Sequence, residues 1–166
     1  MTDFSSAALD DYHQLNKFDC GVPSLNEWLV AQAYRAKESG TAKTYVWTLA
    51  GSDQVIAYYA IAPHLVSRNE VSGGLAGGVS AIPSYLLARL ALDGSMQGQG
   101  LGGQLLRDAL ERIMEAAAIG SGRLIIVDAV DDQAASFYRK FGFRPVKDNP
   151  RRLVHKIATV RKSLHG

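Results

Sequence analysis

A strand, a glycine-rich turn and a long helix follow one another over residues 85–118, and this succession constrains the fold most strongly. The apolar run at residues 85–92 predicts a buried central strand. Four of the six residues 98–103 are glycines, and apolar residues then recur at helical spacing up to residue 117. Backbone N–H groups converge at a helix start, and glycines let a ligand approach the main chain closely. This succession therefore predicts a phosphate-binding site.

Two known patterns of phosphate binding compete for these glycines. Gly98-x-Gly100-x-x-Gly103 matches the dinucleotide fingerprint, which also needs an acidic residue about twenty residues on, after the next strand. Asp128 follows the next predicted strand but lies 25 residues after Gly103, so it does not decide the matter. Its position in the middle of the chain, rather than at the first strand–helix turn, counts against this interpretation. A Walker loop is excluded because no Gly-Lys-Ser/Thr ends the run.

The rest of the chain predicts one domain over residues 1–166, of mixed α/β class, with a mixed central sheet and helices on both faces. A helix is predicted over residues 24–38, with Ser24 as its N-cap and Glu27 completing a capping box. Asp131 or Asp132 caps another helix that ends at Lys140. Strands are predicted at residues 44–49, 54–62, 123–127 and near 153–159, and a flexible glycine-rich loop at 72–78.

Composition excludes several classes of protein. No apolar run is long enough for a transmembrane helix, and the first residues lack the features of a signal peptide. The single cysteine, Cys20, excludes an internal disulfide framework and a multi-cysteine zinc site. We therefore expect a cytoplasmic protein that neither enters a membrane nor holds a metal.

The net charge of +2 conceals a strongly basic end. Residues 139–166 contain nine lysine or arginine residues and one acidic residue, Asp148. Such a segment is typical of a surface that binds an anionic partner such as nucleic acid. A solvated tail would have the same composition, and both interpretations remain open.

Two motifs resemble the GNAT N-acetyltransferases, and the likeness extends over nearly the whole chain. Gln97-x-x-Gly100-x-Gly102 is similar to the family's Arg/Gln-x-x-Gly-x-Gly/Ala signature. Residues 134–143, Ala-Ala-Ser-Phe-Tyr-Arg-Lys-Phe-Gly-Phe, resemble its second hallmark, Ala-x-x-Phe/Leu-Tyr-x-x-x-Gly-Phe. The resemblance implies a GNAT fold and acetyl-CoA as co-substrate.

Four further segments, residues 18–21, 25–29, 82–83 and 87–93, resemble the TacT/AtaT-like acetyltransferase toxins of bacterial type II toxin–antitoxin pairs. This resemblance implies acetylation of the α-amine of aminoacyl-tRNA, a block of translation, and a ribbon-helix-helix antitoxin as partner. A homodimer is a further expectation. Two other functions remain open: acetylation of a small amine or a protein N-terminus, and a catalytically silent acyl-CoA-binding module.

Site residues follow from the motifs. For the cofactor we expect backbone contacts along the motif strand and the glycine turn, at Leu90, Ala91, Leu92, Gln97, Gly98, Gln99, Gly100, Leu101, Gly102 and Gly103. The resemblance implies that Tyr138 protonates the leaving thiolate, which a phenol with a pKa of about 10 can do. Arg89, Arg151 and Arg152 are expected to contact the acceptor. A packing role for Tyr138 and a structural ion pair for Arg89 are the alternatives.

Overall fold

Strands and helices alternate along the chain in the computed structural model, which describes residues 3–165. The strands are β1 (Phe4–Ala8), β2 (Lys43–Leu49), β3 (Val55–Ser67), β4 (Ala81–Leu92), β5 (Leu124–Asp128), β6 (Arg144–Val146) and β7 (Asn149–Lys156). The helices are α1 (Pro23–Ala31), α2 (Ala33–Ser39), α3 (Gly73–Ala76), α4 (Leu101–Gly120), α5 (Asp132–Lys140) and α6 (Ile157–His165).

The seven strands form one mixed sheet with the order β1-β2-β3-β4-β5-β7-β6. The β4–β5 pair is parallel, whereas β1–β2, β2–β3, β5–β7 and β6–β7 are antiparallel. All four residues from Leu124 to Val127 in β5 are fully buried, as a continuous apolar run in a central strand requires. The predicted mixed α/β class is confirmed.

The chain forms two compact units. The first contains the described residues up to Ala62 together with Arg89–Ala109, and Leu29, Ala33, Val55 and Tyr58 lie in its core.

The second unit contains Pro63–Ala88 and the described residues from Leu110 onward. Its core includes Ile82, Leu124, Ile126 and Val154.

The predicted helix over residues 24–38 is two helices, because the backbone leaves the helical conformation at Gln32 (φ −120°). The predicted N-terminal cap, Ser24 with Glu27, is also wrong. Val22 is the N-cap and has no side-chain cap hydrogen bond. Pro23 opens the helix instead, since its fixed φ suits a first helical turn and its missing N–H costs nothing there.

The glycine-rich residues 72–78 are not a flexible loop but contain the short helix α3. The hydroxyl of Ser72 caps this helix, and Gly77 ends it at φ +64°. Arg123 donates from Nε to the carbonyl of Leu75 at 2.6 Å and from Nη2 to that of Gly74 at 3.0 Å. The guanidinium of Arg123 thus stabilises the C-terminal carbonyls of α3, a helix that its glycines alone would not favour.

The C-terminal region also differs from its prediction. The last strand ends at Lys156, and α6 follows directly, with Ile157 and Val160 buried. The short strands β1 and β6 were not predicted at all. Among the helices of the described residues, none combines the length and apolar character needed to cross a membrane.

Candidate functional site

The glycine turn after β4 has the geometry of an anion cradle. Gly98 and Gly100 adopt φ values of +78° and +76°, and an added Cβ at either would meet nothing within 4 Å. These conformations favour glycine, and the open space leaves room for a ligand against the main chain. The twenty-residue helix α4 begins at once, and its first turn holds no acidic residue. The positive end of the helix is thus directed at the turn without a competing carboxylate.

The side chain of Gln97 is committed to the protein. Its amide Nε2 donates to the carbonyl of Cys20 at 3.0 Å and to that of Leu92 at 2.8 Å. Gln99 similarly donates to the carbonyl of Ser95 at 3.3 Å. Both side-chain amides therefore donate within the protein, and the backbone N–H groups of the turn are the expected contacts for a ligand.

The end of β4 leads into the same turn. The parallel pairing of β4 with β5 covers Ser84–Leu87, so Leu90, Ala91 and Leu92 lie beyond that ladder. These three residues and residues 97–103 all belong to the first unit, and only residues 93–96 separate them along the chain. The predicted cofactor residues are thus placed on one strand end and one helix start. Their roles as ligand contacts stay a prediction.

Arg89 lies over an aromatic pair in the first unit. Its guanidinium carbon is 5.1 Å from the ring centroid of Trp28. Trp28 in turn stacks on Tyr58 with centroids 6.0 Å apart and an interplanar angle of 7°. The cation–π contact explains how a charge is accommodated in a strand. Contact with an acceptor remains a prediction for Arg89.

Tyr138 lies on the inner face of α5. Asp131 caps this helix as predicted, since its carboxylate accepts the N–H of Ala134 at 2.8 Å. The Tyr138 ring is buried and meets Phe143 edge-on, with centroids 5.7 Å apart. Burial raises the pKa of the phenol well above its ordinary value. The hydroxyl consequently stays protonated throughout the neutral range and is a hydrogen donor, not an acceptor of protons.

The two arginines predicted to contact an acceptor differ in their surroundings. Arg152 forms a bidentate ion pair with Asp128, with Nε–Oδ1 at 2.7 Å and Nη2–Oδ2 at 2.9 Å. Its Nη1 also donates to Oε1 of Glu70 at 3.3 Å. Arg151 makes one ion pair with Asp132 at 3.2 Å, and about half of its side chain is exposed. Arg151 is therefore the better placed of the two to meet a phosphate.

Sequence reasoning assigned no role to two polar groups that the structure places beside these residues. Asp93 caps the short 3-10 helix Gly94–Met96 that precedes the glycine turn. The ring of His155 meets that of Phe143 edge-on, with centroids 5.2 Å apart, and Phe143 also contacts Tyr138. The aspartate directly after the motif strand was a usable signal for a cap. The histidine carried none.

Comparison with known proteins decides which phosphate-binding pattern applies. Residues 42–145 match the family model of the acetyltransferase (GNAT) domain, a stretch that includes the glycine signature and the whole of the second hallmark. The chain belongs to the GNAT acetyltransferase family. It is accordingly an acetyl-CoA-dependent N-acetyltransferase, and the dinucleotide interpretation of its glycines is wrong. The open glycine cradle at the start of α4 fits the pyrophosphate of that co-substrate.

The similar proteins include acetyltransferase toxins. A "tRNA-acetylating toxin" of Mycobacterium tuberculosis is 33% identical over 147 residues, which is 88% of this chain and 87% of the relative. The solved structure "AtaT complexed with acetyl-methionyl-tRNAfMet" superposes with a TM-score of 0.88 at 27% identity, covering 97% of this chain and 99% of that one. A mutant AtaT bound to acetyl-CoA and to the C-terminus of the antitoxin AtaR gives a TM-score of 0.85 at 27% identity, covering 99% of each chain.

Proposed function

We propose that this acetyltransferase is the toxin of a toxin–antitoxin pair that acetylates the α-amine of aminoacyl-tRNA and so blocks translation. The observation that carries the proposal is near-full-length similarity to a tRNA-acetylating toxin, at 33% identity over 88% of the chain. The resemblance of the fold to AtaT in complex with acetyl-methionyl-tRNA supports the same acceptor.

The donor half of the mechanism belongs to the glycine turn and the end of β4. Backbone N–H groups of residues 98–103 would hold the pyrophosphate of acetyl-CoA, aided by the positive end of α4. Leu90, Ala91 and Leu92 would offer main-chain groups to the pantetheine arm and the acetyl carbonyl. A backbone N–H donating to that carbonyl oxygen stabilises the negative charge that develops when the amine attacks. Acetyl-CoA itself supplies the activated thioester.

Tyr138 is proposed as the general acid. Transfer releases a thiolate, which must gain a proton, and the buried phenol remains protonated across the neutral range. Burial also makes this phenol a weaker acid, so its first contribution is a hydrogen bond to sulfur that strengthens as charge develops. Edge-on contacts of the ring with Phe137 and Phe143, at centroid distances of 5.4 and 5.7 Å, support a fixed position for the hydroxyl oxygen.

The basic C-terminal region is proposed to bind the acceptor RNA. Five of its nine lysine and arginine residues lie on β7 and α6, which are folded elements with buried residues, and this order supports a binding surface rather than a solvated tail. Arg161 and Lys162 are exposed on α6, and Arg151 is exposed on β7. Exposed cations on an ordered surface neutralise phosphates without the loss of conformational entropy that ordering a flexible segment would cost.

A partner protein is proposed by analogy with the AtaT complex that contains the antitoxin AtaR. We propose a ribbon-helix-helix antitoxin for this chain and a homodimer as its own assembly. Part of the basic C-terminal region would then serve the antitoxin as well as the RNA.

The deciding experiment offers labelled acetyl-CoA and a pool of aminoacylated tRNA to the purified protein. The expected result is label on the aminoacyl groups, recovered as N-acetyl amino acids after the ester is hydrolysed. The same pool stripped of its amino acids is the matched control and should take up no label. Parallel reactions offer free amines and peptides as acceptors, and label on these but not on charged tRNA would support the small-amine or protein-terminus alternative. Absence of transfer to any of them, with acetyl-CoA still bound, would support a silent binding module.

A further inference from the structure

Two segments distant in sequence are joined by reciprocal hydrogen bonds just ahead of the glycine turn. Asp93 accepts the N–H of Asp19 on its Oδ1 at 2.9 Å. The N–H of Gly94 donates to the carbonyl of Asp19 at 2.8 Å. One segment, residues 19–22, leads into α1, and the other, residues 93–97, leads from β4 to the glycine turn. We refer to this junction as the 19/93 clip.

Gln97 completes the clip from its other end. Its amide nitrogen has two hydrogens, and they serve the carbonyls of Cys20 in one segment and Leu92 at the end of β4. One side chain thus ties the last residue of the motif strand, the first residue of the glycine signature and the segment before α1. Its removal would take a donor away from two carbonyls at the point where the turn begins.

The segment before α1 is itself held in one conformation. The carboxylate of Asp19 accepts the N–H of Gly21 and the amide of Asn26, both at 2.9 Å, and Asn26 accepts the N–H of Cys20 at 2.9 Å. The N–H of Gly21, followed by the Asn26 amide, holds the pKa of Asp19 below its usual value. Residues 19–22 are therefore an ordered segment, and not a loose loop, where they contact residues 93–97.

We propose that the side chains of Gln97, Asp93 and Asp19 are positioning groups for the donor site, which fix the glycine turn in its acetyl-CoA-binding shape through hydrogen bonds within the protein. The turn is held on its C-terminal side by α4, and the clip is its anchor on the N-terminal side. A cradle made of backbone N–H groups binds tightly only when its conformation is already set, because any ordering on binding subtracts from affinity. The inference rests on the proposed function, since it concerns the acetyl-CoA site.

The test compares three substitutions of Gln97. Gln97→Glu keeps the length of the side chain but removes both donors, and Gln97→Ala removes the side chain. Each should weaken acetyl-CoA binding in calorimetry by roughly tenfold or more, the scale of two lost hydrogen bonds. Gln97→Arg, which supplies N–H donors at the same position, should recover most of the affinity. Asp93→Ala should weaken binding in the same way by opening the opposite end of the clip.

A kinetic measurement separates positioning from a general structural role. The KM for acetyl-CoA should rise in the Glu and Ala variants, while kcat at saturating acetyl-CoA stays close to that of the parent. Gln133→Ala, which alters an exposed glutamine on α5, is the matched control and should change neither quantity. A fall in kcat at unchanged KM, or unchanged affinity in folded Gln97→Ala and Asp93→Ala, would overturn the inference. Failure of the parent protein to bind acetyl-CoA would instead overturn the proposed function.

Discussion

The carboxylate oxygen Oδ2 of Asp108 accepts the indole N–H of Trp47 at 3.1 Å. The same oxygen accepts the hydroxyls of Tyr59 at 2.8 Å and Ser6 at 2.6 Å. One carboxylate on α4 thereby receives donors from β1, β2 and β3 within the first unit. Trp47 and Tyr59 are both buried, and both donate to this one carboxylate oxygen.

Replacement of Asp108 by alanine should destabilise the protein strongly. The buried Trp47 N–H and Tyr59 hydroxyl would both lose their hydrogen bond to this carboxylate, and a buried donor left unsatisfied costs about 1–3 kcal/mol. We expect the free energy of unfolding, measured by urea titration, to fall by ~2–4 kcal/mol. Glu115→Ala, at an exposed position of the same helix, should change it by less than ~0.5 kcal/mol. Equal effects of the two substitutions would contradict the role given to Asp108.

Gly102→Glu should abolish acetyl-CoA binding in a folded protein. The substitution puts a carboxylate in the first turn of α4, where no acidic residue is present and where the pyrophosphate would lie. Gly102→Gln has nearly the same shape without the charge and should bind better than the glutamate variant. Calorimetry with acetyl-CoA measures both, and equal affinities would show that charge at this helix start does not matter.

Tyr138→Phe should slow acetyl transfer by roughly 10²–10⁴, the range of a general acid. The ring and its packing against Phe143 are kept, so the stability and acetyl-CoA affinity should be nearly unchanged. Tyr12→Phe, at a tyrosine that is 55% exposed, is the matched control and should transfer at the parental rate. Full activity of Tyr138→Phe would make Tyr138 a packing residue only. If the protein is a toxin, expression of this variant should no longer arrest growth.

We expect Arg152 to have a structural role and its neighbour Arg151 to have a binding role. Arg152→Ala breaks a charge-assisted pair with Asp128 and should lower stability by ~1–3 kcal/mol. Arg151→Ala should leave stability nearly unchanged but weaken tRNA binding and reduce its salt dependence, because one phosphate contact is lost. Binding measured at several salt concentrations distinguishes them. An unchanged salt slope in Arg151→Ala would remove this residue from the RNA surface.

His155 should make stability fall in mild acid. Burial lowers the pKa of its imidazole, and the guanidinium of Arg144 lowers it further, while a hydrogen bond to the backbone at Phe141 opposes them. The folded state therefore favours neutral His155, and below about pH 6.5 the unfolded state binds more protons. Stability is lost as the pH falls through this window. Tm should decline less in His155→Gln than in the parent protein between pH 7.5 and 5.5, and parallel declines would contradict the assignment.

Much of the fold could be predicted because its central elements carry strong local patterns. The run at residues 124–127 is apolar throughout, and α4 repeats its apolar residues at helical spacing, so neither depends on distant contacts for its type. The glycine turn could be predicted for the same reason, because a cluster of glycines indicates a turn whose conformations other residues rarely adopt.

The elements that escaped prediction are those created by tertiary contacts. Helix α3 consists of Gly73–Ala76, a poor helix sequence, and exists with Arg123 bound to its carbonyls from 49 residues away. The pairing of Arg152 with Asp128 likewise joins two strands, so composition could not separate it from Arg151. The second role of Gln97 depended on the segment before α1, which no local pattern connects to the glycine turn.

Cys20, the one thiol of the chain, lies inside the 19/93 clip and can report on its motion. It is 9% exposed, its Sγ contacts the carbonyl of Val22, and burial raises the pKa of the thiol. A thiol reagent can react only when this segment opens, so the labelling rate measures how often local unfolding occurs there. Because there is no other cysteine, that rate needs no mutagenesis to interpret. A ligand that fastens the glycine turn should therefore protect a sulfur atom that it never touches.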